Sequence, residues 1–194
     1  MIKSNKRGNP DHIDHASDMA KYINSFFQFN ILEGKLTDQV FHSRAMLVNE
    51  ELWHSIQETV FSLHKSNAAV LLYQMGLRYG ISVGSKAREA RRTIHDAIKY
   101  LETYGLLAGW GKFSTSPVYV LDGKLAEDVM VTVKDNFFAT ARNGKSDGPR
   151  CFIIAGLLAG IAEGLLGEGY SCIETICAAS GATHCEFLIT RRPD

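Results

Sequence analysis

Residues 167–190 read GEGYSCIETICAASGATHCEFLIT. Three of the chain's four cysteines, Cys172, Cys177 and Cys185, fall in this stretch beside Glu174. The fourth, Cys151, opens an apolar run just upstream, and no cysteine precedes it. Residues 170–177 and 185–190 read as two strands joined by a loop that contains Ser180-Gly181. Side chains alternate faces along a strand, so Cys172 and Glu174 share one face. Cys177 falls on the other face unless the strand ends or bulges first. The stretch Ala178-Ala179-Ser180-Gly181 offers such an ending, and Cys177 and Cys185 then approach across the loop. Thiolates with a carboxylate are the ligand set of a closed tetrahedral zinc site. On this reading the fourth ligand is Cys172, Cys151 or His184. The competing account makes these cysteines small buried hydrophobes, as most free cysteines are. A catalytic thiol fits less well, because His184 is the one nearby base.

Upstream, 151–166 reads as a helix with Gly156, Gly160 and Gly164 every four residues. A glycine stripe lets another backbone approach closely, although each glycine costs about 1 kcal/mol of helix propensity relative to alanine. Val129, Val131 and Val133 alternate with Met130, Thr132 and Lys134, the pattern of a half-buried strand. Shorter strands are expected over 110–113 and 118–121, with a turn at Asp122-Gly123. Three helices are expected before them. One follows Asn49 from Glu50 to about His64, with Trp53, Ile56, Val60 and Leu63 on one face. A second opens at Asn67 and ends near Gly80. A third runs from about Ser85 to Tyr104, with Gly105 as its stop. Short strands are expected between Phe29 and Val48, and a helix over 11–27 after a tail. The order predicts an α+β fold, helices packed on an antiparallel sheet. Residues 1–30 form a tail and helix on this reading, and 31–194 the domain proper.

With 21 basic and 21 acidic side chains, the chain has no net charge to draw it to nucleic acid or an anionic membrane. Its start, MIKSNKRGNP, lacks the apolar segment of a signal peptide. The greasy run 152–166 contains Glu163 and is too short to span a bilayer. A cytoplasmic location with reduced thiols is therefore expected, and clustered thiols there favour metal binding over disulfides.

The ending quoted above resembles the 4-vinyl-reductase domain family. So do Cys151-Phe152 followed by Ala155-Gly156 and Ala159-Gly160. Leu71-Leu72-Tyr73 with Gly76 and Gly80, Gly109-Trp110-Gly111, and Asp135-Asn136-Phe137-Phe138 look like the same family. The resemblance implies an α+β fold shared with Golgi transport-complex subunits and a small-molecule-binding module. The family also supplies sensory domains of transcription activators that detect phenols. Carried over residue by residue, it implies a structural zinc held by Cys151, Glu174, Cys177 and Cys185. Those sensors carry a tyrosine two residues before the metal glutamate, where this chain has Cys172, which puts phenol recognition in doubt.

If zinc pins Cys151, the helix face bearing Ala155, Leu158 and Ala162 looks inward. Cys172, Phe187 and Met130 are then candidate walls of a pocket, with Tyr73, Trp110 and Phe138 further candidates. Apolar walls with one or two polar points suit a small ligand. The function expected is a zinc-containing, non-catalytic sensor for a small hydrophobic molecule, aromatic ones included. It would act as a homodimer through a signalling protein partner. Three alternatives stand beside it. One is a role in tetrapyrrole vinyl reduction, although no Gly-x-Gly-x-x-Gly cofactor motif is present. Another is a winged-helix DNA binder using Lys86, Arg88, Arg91, Arg92 and Lys99. The last is a scaffold without a ligand.

Overall fold

The computed structural model describes residues 21, 23–40, 42–140, 146–167 and 169–192, and the chain divides into two compact units between Leu47 and Val48. The first unit holds an antiparallel sheet in the order β1 (Phe27–Asn30), β2 (Lys35–Asp38), β3 (Ser43–Ala45). Asn30 shapes its first turn: Oδ1 accepts from the backbone N–H groups of Leu32 and Glu33 at 3.1 and 3.2 Å. This is the side-chain turn mimicry that favours asparagine in such positions. Of the helix expected over 11–27, residues 11–20 and Tyr22 lie outside the described residues. Residues 23–26 are helical, and the chain turns to strand at Phe27.

The second unit opens with α1 (Glu50–His64), capped by Asn49, whose Oδ1 accepts from the Leu52 N–H at 2.8 Å. The helix buries Trp53 and Gln57 and leaves Ile56 and Leu63 exposed, so its inner face differs from the one hydropathy predicts. Gln57 Nε2 donates to the Arg150 carbonyl at 2.8 Å, and this polar contact fixes the helix rotation.

The next helix, α2 (Ala68–Glu89), does not stop near Gly80. Its Gly76, Gly80 and Gly84 meet Gly156, Gly160 and Gly164 of α4 (Phe152–Leu166). A Cβ at Gly80 would overlap the Leu157 carbonyl oxygen, and one at Gly160 the Leu77 carbonyl oxygen. Gly76 lies at Ile153, Gly80 at Leu157 and Gly84 at Ile161, so the two helices run parallel. Backbone packing this close offsets the helix propensity that the glycines forfeit, through Cα–H···O contacts of roughly 0.5–1 kcal/mol each and the burial of α4.

The helix expected over 85–104 is therefore two helices. Arg91, at φ 54°, turns the chain, and α3 (Ile94–Leu107) starts after a capping box between Thr93 and Asp96. The basic residues 86–99 divide between the end of α2, the turn and α3, so no single recognition helix carries them. Gly105 lies inside α3, where the Phe113 ring occupies the space a Cβ would need. The stop is Gly109, at φ +74°. Trp110 N–H bonds the Gly105 carbonyl at 2.8 Å and Gly109 N–H the Leu106 carbonyl at 3.3 Å, the paired bonds of a left-handed C-terminal cap.

The main sheet has the order β4 (Lys112–Thr115), β7 (Val129–Lys134), β9 (Cys185–Arg191), β8 (Tyr170–Ile176), antiparallel throughout. A separate hairpin pairs β5 (Val120–Leu121) with β6 (Lys124–Leu125) across Asp122-Gly123, both at positive φ. Val129, Val131 and Val133 on β7 and Cys185, Phe187 and Ile189 on β9 form the inward face. The run 154–160 of α4 is buried at every position, as befits a helix with α2 on one side and the sheet on another. The expected α+β fold with helices on an antiparallel sheet is the one observed. No helix among the described residues is long and apolar enough to cross a membrane.

Candidate metal centre and cavity

The pairing of β8 with β9 slips once: Glu174 faces Phe187, and Ile176 faces Glu186. Thr175 is the extra residue of this bulge, and its Oγ1 bonds the Glu186 carbonyl and carboxylate at 3.2 and 2.9 Å. The bulge and the end of the strand at Ile176 remove the alternation that would separate Cys177 from Glu174. Ligand atoms of Cys151, Glu174, Cys177 and Cys185 then all lie within 4.8 Å of one another. Cys151 Sγ is 4.0 Å from Cys177 Sγ and 3.7 Å from Cys185 Sγ. Zinc–sulfur bonds of about 2.3 Å in a tetrahedron place two sulfurs roughly 3.8 Å apart.

Other groups fit the same purpose. Cys151 occupies the N-cap of α4, where the helix dipole favours negative charge. Its N–H donates to Glu174 Oε2 at 2.9 Å. Glu174 Oε1 is buried with no hydrogen-bond partner among the described residues, leaving a carboxylate oxygen free to ligate. Asn136 Nδ2 donates to Cys151 Sγ, and the Ala178 N–H to Cys185 Sγ, both at 3.3 Å. Bonds of this kind hold thiolates in place around a metal. Hydrogen bonds from Cys151 and then Cys177 pull the pKa of the Cys185 thiol down to about 4. Hydrogen bonding to Cys177 and Cys185, then burial, pushes Cys151 far up, and burial first of all lifts Glu174 to about 7. Without a metal the group retains protons; a divalent cation would displace them. The four residues can hold a metal ion. All four tetrahedral positions would be protein ligands, the arrangement of a structural site.

Cys172 stands outside this cluster. It is buried, burial raises its thiol, and its backbone N–H donates to Tyr73 Oη at 3.2 Å. His184 is also outside, bonded to Thr183 Oγ1 at 3.0 Å.

Two turns along α4 from Cys151 an apolar cavity of about 40 Å³ opens. Leu158 and Ala162 line it together with Val129 and Val131 of β7 and Ile189 of β9. Its opposite wall is α3, through Ile94, Ala97, Ile98 and Leu101. Thr115 at the end of β4 is the one polar residue in the lining. Ala155 is buried between cavity and cluster on the same helix, and Phe187 is fully buried in the core. Met130 alternates out of the wall formed by its two neighbours and is half-buried. Trp110 stacks edge-on against Phe138 and Tyr104 at 5.5 and 5.3 Å, and is not in the lining. Residues 94, 97, 98 and 101 have the helical spacing of a core-facing stripe, the signal that marks the α3 wall in the sequence.

Residues 129–191, from β7 through α4 to β9, match the model of the 4-vinyl-reductase domain family. The chain carries a 4-vinyl-reductase domain. The phenol-responsive sensory domain of the transcription activator PoxR, solved with phenol, has a TM-score of 0.73 at 19% identity, covering 95% of this chain and 92% of that one. Subunit 3 of a trafficking protein particle complex from Naegleria fowleri, covalently bound to palmitic acid, has a TM-score of 0.52 at 13% identity, over 74% and 95% of the two chains. A vinyl-4-reductase family protein from Methanocaldococcus jannaschii has a TM-score of 0.49 at 16% identity, over 96% and 100%. The first two share this chain's fold. No curated protein matches the chain by sequence. Both candidate sites of the 4-vinyl-reductase domain, the metal cluster and the cavity, are built on α4.

Proposed function

We propose that this protein is a non-catalytic binding domain for a small apolar molecule, with a structural zinc at Cys151, Glu174, Cys177 and Cys185. The observation that carries the reading is the apolar cavity between α3, α4 and the sheet, on the same helix whose first turn enters the thiol cluster. Zinc staples the N-terminus of α4 to the β8–β9 loop and so fixes one wall of the cavity. The PoxR domain, whose fold this chain shares, is described as phenol-responsive, which supports a sensory role. Output then passes to a protein partner, from a homodimer. Leu71, Met75 and Tyr79 form an exposed stripe on α2 that suits such an interface. A cavity of about 40 Å³ is far too small for a tetrapyrrole, which favours binding of a small molecule over vinyl reduction.

Native mass spectrometry of the protein purified without chelator tests three parts together. One zinc per chain, a dimer and a bound small molecule are expected. A metal-free chain that unfolds at the same temperature with and without chelator would refute the zinc staple. A monomer at micromolar concentration would refute the dimer.

A further inference from the structure

Thr115 differs from every other residue around the cavity in carrying a hydroxyl. Its Oγ1 is buried and has no hydrogen-bond partner among the described residues. Its backbone is not free to relax: the N–H donates to Glu102 Oε1 at 3.1 Å, and β4 pairs Thr115 with Val131, itself a cavity wall. A buried hydroxyl without a partner costs about 1–3 kcal/mol, and valine would fill the same shape without that cost. No cationic side chain lines the cavity, and the carboxylate bonded to Thr115 opposes an anion. We propose that Thr115 is the specificity-determining residue of this cavity, and that its ligand is an uncharged molecule with an apolar body and one hydrogen-bonding group that meets Oγ1.

This rests on the cavity being the binding site. The closed cavity, at about 40 Å³, is smaller than the ~150 Å³ engineered cavity that accepts benzene. A ring-sized ligand therefore displaces a wall, and α3 is the wall that moves. Its principal packing is on β4 alone, whereas α4 is locked to α2 backbone against backbone.

The test compares cyclohexanol with methylcyclohexane, near-equal in shape, and with cyclohexanecarboxylate, using the full chain and Thr115→Val. Affinities come from calorimetry or ligand-induced shifts in melting temperature. Thr115→Val is expected to move the cyclohexanol-to-methylcyclohexane affinity ratio about tenfold toward the hydrocarbon, the worth of one hydrogen bond of ~1.4 kcal/mol. The ligand-free variant is expected to melt at or above the wild-type temperature. A ratio unchanged by the substitution overturns the role of Thr115 while leaving the cavity as a binding site. A marked drop in melting temperature also overturns it, since the hydroxyl would then have a partner in the protein. Carboxylate binding as tight as cyclohexanol binding overturns the uncharged class. Failure of the wild type to bind any of the three overturns the cavity itself, and this inference with it.

Discussion

Cys177 and Cys172 sit five positions apart on one hairpin, yet only Cys177 joins the cluster. Their different surroundings predict different mutants. Cys185→Ser or Cys177→Ser should abolish zinc retention and cost ~3 kcal/mol or more, the scale of lost metal sites. For a chain of this size that is a fall in melting temperature of roughly 6–12 °C. Cys172→Ser should retain zinc, whatever its effect on packing. Metal analysis beside thermal denaturation separates the two, and loss of zinc in Cys172→Ser would refute the assignment. The cluster also predicts a pH dependence for the metal. Cys151 and Glu174 hold protons in the metal-free protein, and ligation must expel them. Affinity measured by chelator competition should therefore rise with pH through neutrality and fall in acid.

At the scale of elements, α2 and α4 behave as one piece and α3 as another. Gly80→Ala or Gly160→Ala places a methyl group against backbone, so the helices must separate along their length. A loss of ~3 kcal/mol or more is expected in chemical denaturation, at or above the upper end of ordinary overpacking. A cost under ~1 kcal/mol would mean that the contact is looser than described. By contrast α3 depends on its caps. The Thr93 N–H and Oγ1 both donate to Asp96 Oδ2 at 2.9 Å, and these bonds hold its carboxyl below the ordinary carboxylate value. A depressed value stabilises the helix start above the ordinary pKa and loses that support as pH falls through the depressed one. Thr93→Ala should therefore increase amide exchange in the first turn of α3 at neutral pH, with the difference shrinking in strong acid. Bound ligand should slow exchange in α3 more than in α2 or α4; uniform protection would argue against a moving α3.

For the whole molecule, the sequence made some features legible and hid others for physical reasons. The α+β order, the Asn49 cap, the Asp122-Gly123 turn and the glycine-rich helix could be read because each depends on neighbours along the chain. The continuation of α2 through Gly80 could not, since local propensity favours a stop there and only contact with Gly160 outweighs it. Gln57 turned α1 away from its most apolar face through a bond to Arg150, 93 positions distant. The residues that can hold a metal were visible by type and by resemblance, but the bulge at Thr175 that lets Cys177 reach Glu174 belongs to strand pairing. The α3 wall was hidden because a stripe facing a cavity has the same spacing as one facing a core.

The contact between α2 and α4 has an evolutionary consequence. In an ordinary core, a residue that grows can be accommodated by another that shrinks. Here the atoms that would be struck are peptide carbonyls and amides, which no codon change can trim. A selection for restored stability in Gly160→Ala should return reversion to glycine, or changes in distant loops that let a helix shift, and no compensating side chain on α2. The six glycines are thus expected to drift together or not at all.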